Sequence, residues 1–263
     1  MATVRPPLLY HAASSYYSMI ARLALIEAGL RFDSRLVDIH RTRENQAPWF
    51  VRLNPEMTVP VLALPGDGAG DPDRLLPDSR LILEHAFPDA ADAAEDGILA
   101  RLYRFPVDQY TFAWLLGWNP VARFLIPRKL GKIRGDMLQL AGANPDLAEV
   151  YRRRAEIFDR RVAAFSQPQA PRWAALNAEV DGLMQMLEQG LAGGPFLGGA
   201  RYGAADVVAT VFLARLRFVR QGRRIAASPA IAAYWQKLHA GDSFRQADVW
   251  ERLKPSLVLR LIG

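Results

Sequence analysis

The sequence predicts an α/β unit followed by an all-α helical bundle, and three observations predict it. In the first 87 residues the pattern runs strand, helix, strand, short helix, strand, strand, helix. "PDAADAAEDG", at 88–97, is acidic and opens on a proline, the composition of a linker. Beyond it, helical spacing dominates and no strand pattern returns. The expected division is 1–87, a linker at 88–97, and 98–263.

Each element has its own signal. "PLLYH" (7–11) is a short apolar run. "SSYYSMIARLALIEAGL" then sets Met19, Ile20, Leu23, Ala24 and Ala28 on one helical stripe, with a serine before it and Gly29 at its end. "SRLVDI" (34–39) reads as a second strand, parallel to the first through a right-handed crossover. "ENQAPWFVRLNP" is a short irregular helix stopped by a proline, and "VPVLAL" is a third strand. After the Gly, Asp and Pro-rich turn "PGDGAGDPDR", "LLPDSRLILEHAF" supplies a brief strand and a helix. A loop joins these last two strands, so they pair antiparallel, giving βαβ then ββα on one mixed sheet. Helices of the second unit are expected at "ILARLYRFPVDQYTFAWLLGW", near 121–140, 145–165 and 172–191, and at "AADVVATVFLARLRFV", "PAIAAYWQKLHA" and "SFRQADVWERL".

Composition narrows the function classes. With 263 residues, 51% of them hydrophobic, the chain can bury one large core or two ordinary ones. No run approaches the roughly 18 apolar residues of a membrane span, and "MATVRPPLLY" lacks the pattern of a signal peptide, so a cytoplasmic protein is expected. There is no cysteine, which excludes disulfides, thiolate metal sites and a cysteine nucleophile; any thiol chemistry must use a thiol from outside. The histidines His11, His40, His85 and His239 are scattered without a carboxylate cluster, so no metal is expected. The charge of +6 comes mainly from arginine, in "YRRRAEIFDRR" (151–161) and "RLRFVRQGRR" (215–224). Both runs read as solvated faces, with an anionic-ligand surface as the alternative and no nucleic-acid signature beside them.

Three places carry chemistry. In "NPEMTVPVLAL" a proline interrupts a good strand. A cis peptide before Pro60 is expected, turning the backbone of Val59 outward so that its N–H and C=O can pair with an extended peptide, as in strand addition. In "PDSRLILEH", Asp78 and Ser79 stand where strand gives way to helix: free N–H groups suit a carboxylate and Asp78 suits an ammonium, unless both merely cap the helix. In "AASSYYSM", Ser15 lies at the positive end of the first helix, where its hydroxyl can donate to a sulfur anion and pull an incoming thiol below its usual pKa of about 8.5. Ser14, Ser18, Tyr16 and Tyr17 compete for that role.

These pieces, in this order, resemble the glutathione S-transferase superfamily over nearly the whole chain. "SSYYSMIARLAL" is similar to the serine-led first helix, "NPEMTVPVL" to the cis-proline motif and "LPDSRLILEH" to the γ-glutamyl site. "FLGGARYGAADVVATVFLARL" resembles the capping segment of the second domain, with Gly203 where the family prefers Ser or Thr and Asp206 retained. The resemblance implies a thioredoxin-like first domain, glutathione as cofactor and, as a rule, a homodimer. It places Ser15 on the catalytic serine of theta- and zeta-like members, Val59 and Pro60 on the docking pair, Asp78 and Ser79 on the γ-glutamyl contacts, and Asn45, Gln46 and Thr58 beside the rest of the tripeptide. "ENQAPWFVRLNPEMTVPVL" is similar to the tetrachlorohydroquinone dehalogenase and ganglioside-induced differentiation-associated branch, and the middle of the second domain to bacterial β-etherases. The dehalogenases carry a cysteine where this chain has Tyr17, which puts reductive dehalogenation through a protein mixed disulfide in doubt.

Tyr110, Phe112, Trp114 and Trp118 fall within about two and a half helical turns, on the helix that in this family lines the electrophile pocket; Tyr110, Trp114 and Trp118, with Tyr17, are the expected contacts to a hydrophobic, aromatic electrophile. The expected activity is attack by a serine-stabilised glutathione thiolate, with halide or ether displacement as candidates. A non-catalytic interaction module and a glutathione-dependent isomerase are the alternatives.

Overall fold

The structure is a computed structural model that describes residues 5–66, 73–88 and 93–254. Its first unit is a four-stranded mixed sheet in the order β2-β1-β3-β4, formed by β1 (Leu8–His11), β2 (Asp33–Leu36), β3 (Val61–Leu64) and β4 (Arg74–Leu76). β1 runs parallel to β2 and antiparallel to β3, and β4 returns antiparallel to β3. Helix α1 (Tyr16–Glu27) makes the crossover, α2 (Pro48–Leu53) precedes β3, and α3 (Ser79–Ala86) follows β4. Gly29 ends α1 at φ 67°, a conformation that strains residues with a Cβ.

α1 is apolar on two faces, and the second face is what joins the units. Ala21 and Leu25 pack with Leu9, Leu62, Leu64 and Ile82 against the sheet. Met19, Ile20, Leu23 and Ala24 instead enter the core of the helical unit. Each of the larger side chains among these, fully buried, contributes about 1.5–3 kcal/mol.

That unit comprises α4 (Ala93–Arg104), α5 (Val107–Trp118), α6 (Pro120–Ala143), α7 (Ala148–Ser166), α8 (Ala170–Gly190), α9 (Ala204–Phe218), α10 (Arg223–Ala226), α11 (Pro229–Ala240) and α12 (Asp242–Gln246). α9 is buried along nearly its whole length and forms the axis of the bundle. Its start is fixed by Asp206, whose carboxylate accepts the N–H groups of Leu197 (3.0 Å) and Gly203 (2.9 Å) and the hydroxyl of Tyr234 (2.5 Å). A glycine cap therefore suffices here, because the carboxylate closes the turn from inside. α6 and α7 form a long hairpin that covers residues 44–57: Met137, Tyr151 and Phe158 pack on Val51 and Met57, and the Tyr151 hydroxyl donates to the Gln46 carbonyl at 2.7 Å.

Some boundaries differ from expectation. α4 begins at Ala93, inside the stretch read as a linker, of which residues 89–92 lie outside the described residues, as do 67–72 of the long turn. "SFRQADVWERL" is helical only to Gln246. There Asp248 adopts φ 47°, and the guanidinium of Arg22 takes the Ala247 and Asp248 carbonyls that a continuing helix would use. No helix among the described residues is long and apolar enough to cross a membrane.

Candidate active site

The sheet brings the three sequence-predicted places to one end. β1 leads out of His11 toward Ser15, and Tyr10 pairs with Val61, so the residues just before β3 lie beside the exit of β1. Leu62 pairs with Leu76, so the residues just after β4 return to the same end. The segment after β2, which carries Asn45 and Gln46, leaves there too, because His11 pairs with Leu36. Val59, Pro60, Asp78, Ser79 and Ser15 thus converge by register alone. Ala12, Val37, Phe50, Val59 and Val61 form the apolar cluster beneath them.

Ser15 is the N-cap of α1, in extended conformation (φ −73°, ψ 125°), and its oxygen accepts the Ser18 N–H at 3.3 Å. Accepting leaves its own proton uncommitted, at a helix end whose partial positive charge favours an anion. The rivals are otherwise engaged. Ser14 shares a 2.8 Å hydrogen bond with His40 Nε2. Ser18 is fully buried and accepts the Ala12 N–H. Tyr16 is buried in the core with its phenol held well above the usual range. Tyr17 is half-buried; burial first, then the carboxylates of Asp108 and Asp78, push its pKa up, so its phenol stays protonated at neutral pH.

The Val59–Pro60 peptide is cis. Val59 itself is 8% exposed, and among the described residues no hydrogen bond reaches its N–H or its C=O. Asp78 is exposed and caps α3, accepting the Arg80 N–H at 2.6 Å. Ser79 is buried, its oxygen 3.5 Å from the Tyr103 hydroxyl. Thr58 is exposed, and Asn45 donates to the Met57 carbonyl at 2.8 Å, which makes it a support of the docking loop. Gln46 is buried, with its carbonyl held by Tyr151.

Two supporting residues had not been singled out from the sequence. Asn54, buried, donates to the Thr58 carbonyl at 2.9 Å and approaches the Pro77 carbonyl at 3.5 Å, linking the loop before β3 to the one after β4. Its place at the head of "NPEMTVPVL" was the available signal. Arg22, 6% exposed, donates to the carbonyls of Ala12, Ala13, Ala247 and Asp248 and to His11 Nδ1. Arginine donates only, so His11 Nδ1 is the acceptor and its Nε2–H faces Ser34 Oγ at 2.6 Å. Burial, then the charge of Arg22, holds the His11 pKa down to about 4, in keeping with a neutral ring.

The aromatic residues of α5 divide. Tyr110 has no exposed surface, stacks on Trp173 at 4.7 Å and hydrogen-bonds Asn177, so it is a core residue rather than a substrate contact. Trp114 is half-buried against Phe218, and Trp118 is exposed. Both line a cavity of about 760 Å³ together with Trp173, Gln169, Arg123 and Arg220, and no residue of the first unit contributes to that wall. Arg123 closes the end of α5 through the Leu116 and Gly117 carbonyls.

Two family descriptions match: the glutathione S-transferase N-terminal domain over residues 14–86 and the C-terminal domain over 169–237. Tetrachloro-p-hydroquinone reductive dehalogenase of Sphingobium chlorophenolicum is 31% identical over 256 residues, spanning 94% of this chain and 97% of that protein. The chain belongs to the glutathione S-transferase family. As a member it is a glutathione transferase enzyme, and its cofactor is glutathione. Glutathione S-transferase TCHQD of Arabidopsis thaliana is 25% identical, with 90% of this chain and 88% of that one aligned. Among solved structures, the beta-etherase LigF from a Sphingobium strain superposes with a TM-score of 0.61 at 20% identity, over 92% of this chain and 98% of that one, and shares the fold.

Proposed function

We propose that this glutathione S-transferase holds the cofactor along the unpaired Val59 main chain, with Ser15 donating to its thiolate and a hydrophobic aromatic electrophile as the second substrate. The observation that carries the reading is the uncommitted Ser15 proton at the α1 N-terminus, on the same sheet end as the Val59 groups that lack a partner. The site residues fit glutathione: an exposed Asp78 carboxylate for an ammonium, the α3 N-terminus for a carboxylate, and two free main-chain groups for the peptide between them. When bound, glutathione supplies the sulfur nucleophile. Ser15 lowers the pKa of that thiol by stabilising its anion, the α1 dipole adds to the effect, and protonated Tyr17 presents a second donor. Halide or ether displacement from an aromatic compound suits this arrangement. The names of the dehalogenase and etherase relatives support that substrate class. A homodimer in the cytoplasm is part of the same reading, following the family pattern.

The test is glutathione consumption with 1-chloro-2,4-dinitrobenzene. A hydrogen bond to a charged group is worth about 1.5–3 kcal/mol, so Ser15→Ala should lower kcat/KM by roughly 10- to 150-fold. Undiminished turnover in Ser15→Ala removes Ser15 from the mechanism.

A further inference from the structure

Arg215 sits on α9 with 7% of its surface exposed, inside a run that the sequence alone suggests is a solvated face. Its neighbours in that run are matched: Arg217 pairs with Glu251 at 2.7 Å, and Arg224 with Asp181 and Asn177. Arg22, equally buried, has five acceptors. Arg215 has one long hydrogen bond, to Thr111 Oγ1 at 3.4 Å, and its Nε is buried without a partner. No carboxylate pairs with it among the described residues. Its guanidinium lies instead 4.7 Å from the Phe218 ring centre and 5.5 Å from that of Tyr16. Burial lowers its pKa to about 10, which leaves it charged at neutral pH. A buried cation with so few partners is costly to keep and invites an explanation.

Its surroundings say which way it faces. On α5, Asp108, Thr111 and Trp114 are spaced by one helical turn and all half-buried, while Tyr110 and Ala113 are in the core. Arg215 reaches that stripe at Thr111, whose own hydroxyl donates to the Val107 carbonyl at 2.7 Å. Asp108 is occupied by Arg161 at 3.4 Å, so it does not neutralise the guanidinium. Tyr16, whose ring lies 5.5 Å from the guanidinium, packs edge-on at 5.2 Å against Tyr17 in the first turn of the helix that Ser15 caps, so the charges of Asp108, Asp78 and Arg215 all act on the Tyr17 phenol. Beside the first turn of α1 the guanidinium of Arg215 therefore stands among aromatic rings, with the carboxylates of Asp108 and Asp78 the other charges that act on Tyr17.

We propose that Arg215 is the recognition point for an anionic oxygen on the aromatic electrophile, a carboxylate or a phenolate, so that the preferred substrates are anionic aryl compounds. This rests on the reading that the electrophile is held beside Ser15. A guanidinium presents planar paired donors to such a group, and the rings of Phe218 and Tyr16 stand beside it. Arg215 takes no part in bond making; it sets which electrophile is held and in what orientation.

The test compares 4-nitrobenzoate with 4-nitrobenzamide, which share a shape and differ in charge, by calorimetry without glutathione. The wild type should bind the benzoate at least tenfold more tightly than the amide. Arg215→Met should abolish that preference while leaving the amide affinity within threefold, and Arg215→Lys should retain a reduced preference. With glutathione present, kcat/KM for 4-chloro-3-nitrobenzoate should fall at least tenfold in Arg215→Met, and that for the corresponding benzamide should stay within threefold. No preference in the wild type, a preference that survives in Arg215→Met, or equal losses for both ligands would overturn the proposal. The wild-type comparison needs no variant to fold. Absence of glutathione turnover with every electrophile would strike the Ser15 reading, which the binding comparison does not use.

Discussion

Replacing Arg22 by methionine keeps a stem of similar length and removes five hydrogen bonds from the junction between the sheet exit and the end of the helical unit. The contacts to Ala247 O (2.7 Å) and Asp248 O (3.2 Å) are the well-formed ones to carbonyls; those to Ala12 O and Ala13 O are long, at 3.4 Å each. Two charge-assisted bonds at about 1.5–3 kcal/mol each set a loss near 3–6 kcal/mol, and relief from holding a buried charge returns part of it. A net loss of about 3 kcal/mol is expected, which lowers Tm by roughly 6–12 °C in a chain of this size. The same carbonyls of Ala12 and Ala13 precede Ser15, so glutathione turnover should fall as well, and Arg22→Lys should recover only part of either loss. Thermal unfolding followed by circular dichroism reads the first effect. A Tm within 2 °C of the wild type, a limit set below the shift expected for about 1 kcal/mol, would refute the view that this guanidinium ties the two units together.

Other outcomes follow from single environments. His11 has its pKa depressed from 6.5 to about 4, so between those values the unfolded chain binds a proton that the folded chain refuses. Stability present above pH 6.5 is therefore lost as pH falls toward 4, by about 2 kcal/mol between pH 7 and 4.5, and urea unfolding of His11→Asn should show a correspondingly flatter pH dependence. Asp206→Ala leaves two buried N–H groups and the Tyr234 hydroxyl without their acceptor and should cost about 4 kcal/mol or more, with Asp206→Asn losing less, as read by urea midpoints. Ser15→Gly should be as inactive as Ser15→Ala yet more stable than it by some tenths of a kcal/mol, because glycine is a tolerable cap and no donor.

Much of the architecture was legible because local chemistry and global packing agree. Ser15 and Asp78 cap the helices their side chains suggested, and the absence of a helix between the last two strands fixed their antiparallel pairing. What stayed hidden depended on which face of a helix turns inward. Aromatic spacing placed Tyr110, Trp114 and Trp118 on one helix, but only packing shows that Tyr110 joins Ala113 and Leu116 in the core while the tryptophans look outward. The arginine runs were legible in part: Arg153 and Arg161 do sit at the surface, paired with Glu56 and Asp108. Arg215 and Arg22 belong to helices with little polar face, and the apolar neighbours "VFLARL" and "MIARLAL" carried the hint that those charges go inside. The early stop of α12 depends on Arg22, more than two hundred positions away in sequence (|i−j| 225), so no local pattern encodes it.

Val59 keeps its main-chain groups unpaired among the described residues, and amide hydrogen exchange at that residue tests most directly the proposal that a peptide ligand pairs with them. On saturation with glutathione the Val59 amide should exchange more slowly and shift in the nitrogen–proton spectrum as it gains a partner. An unchanged Val59 amide in protein that demonstrably binds glutathione would contradict the account.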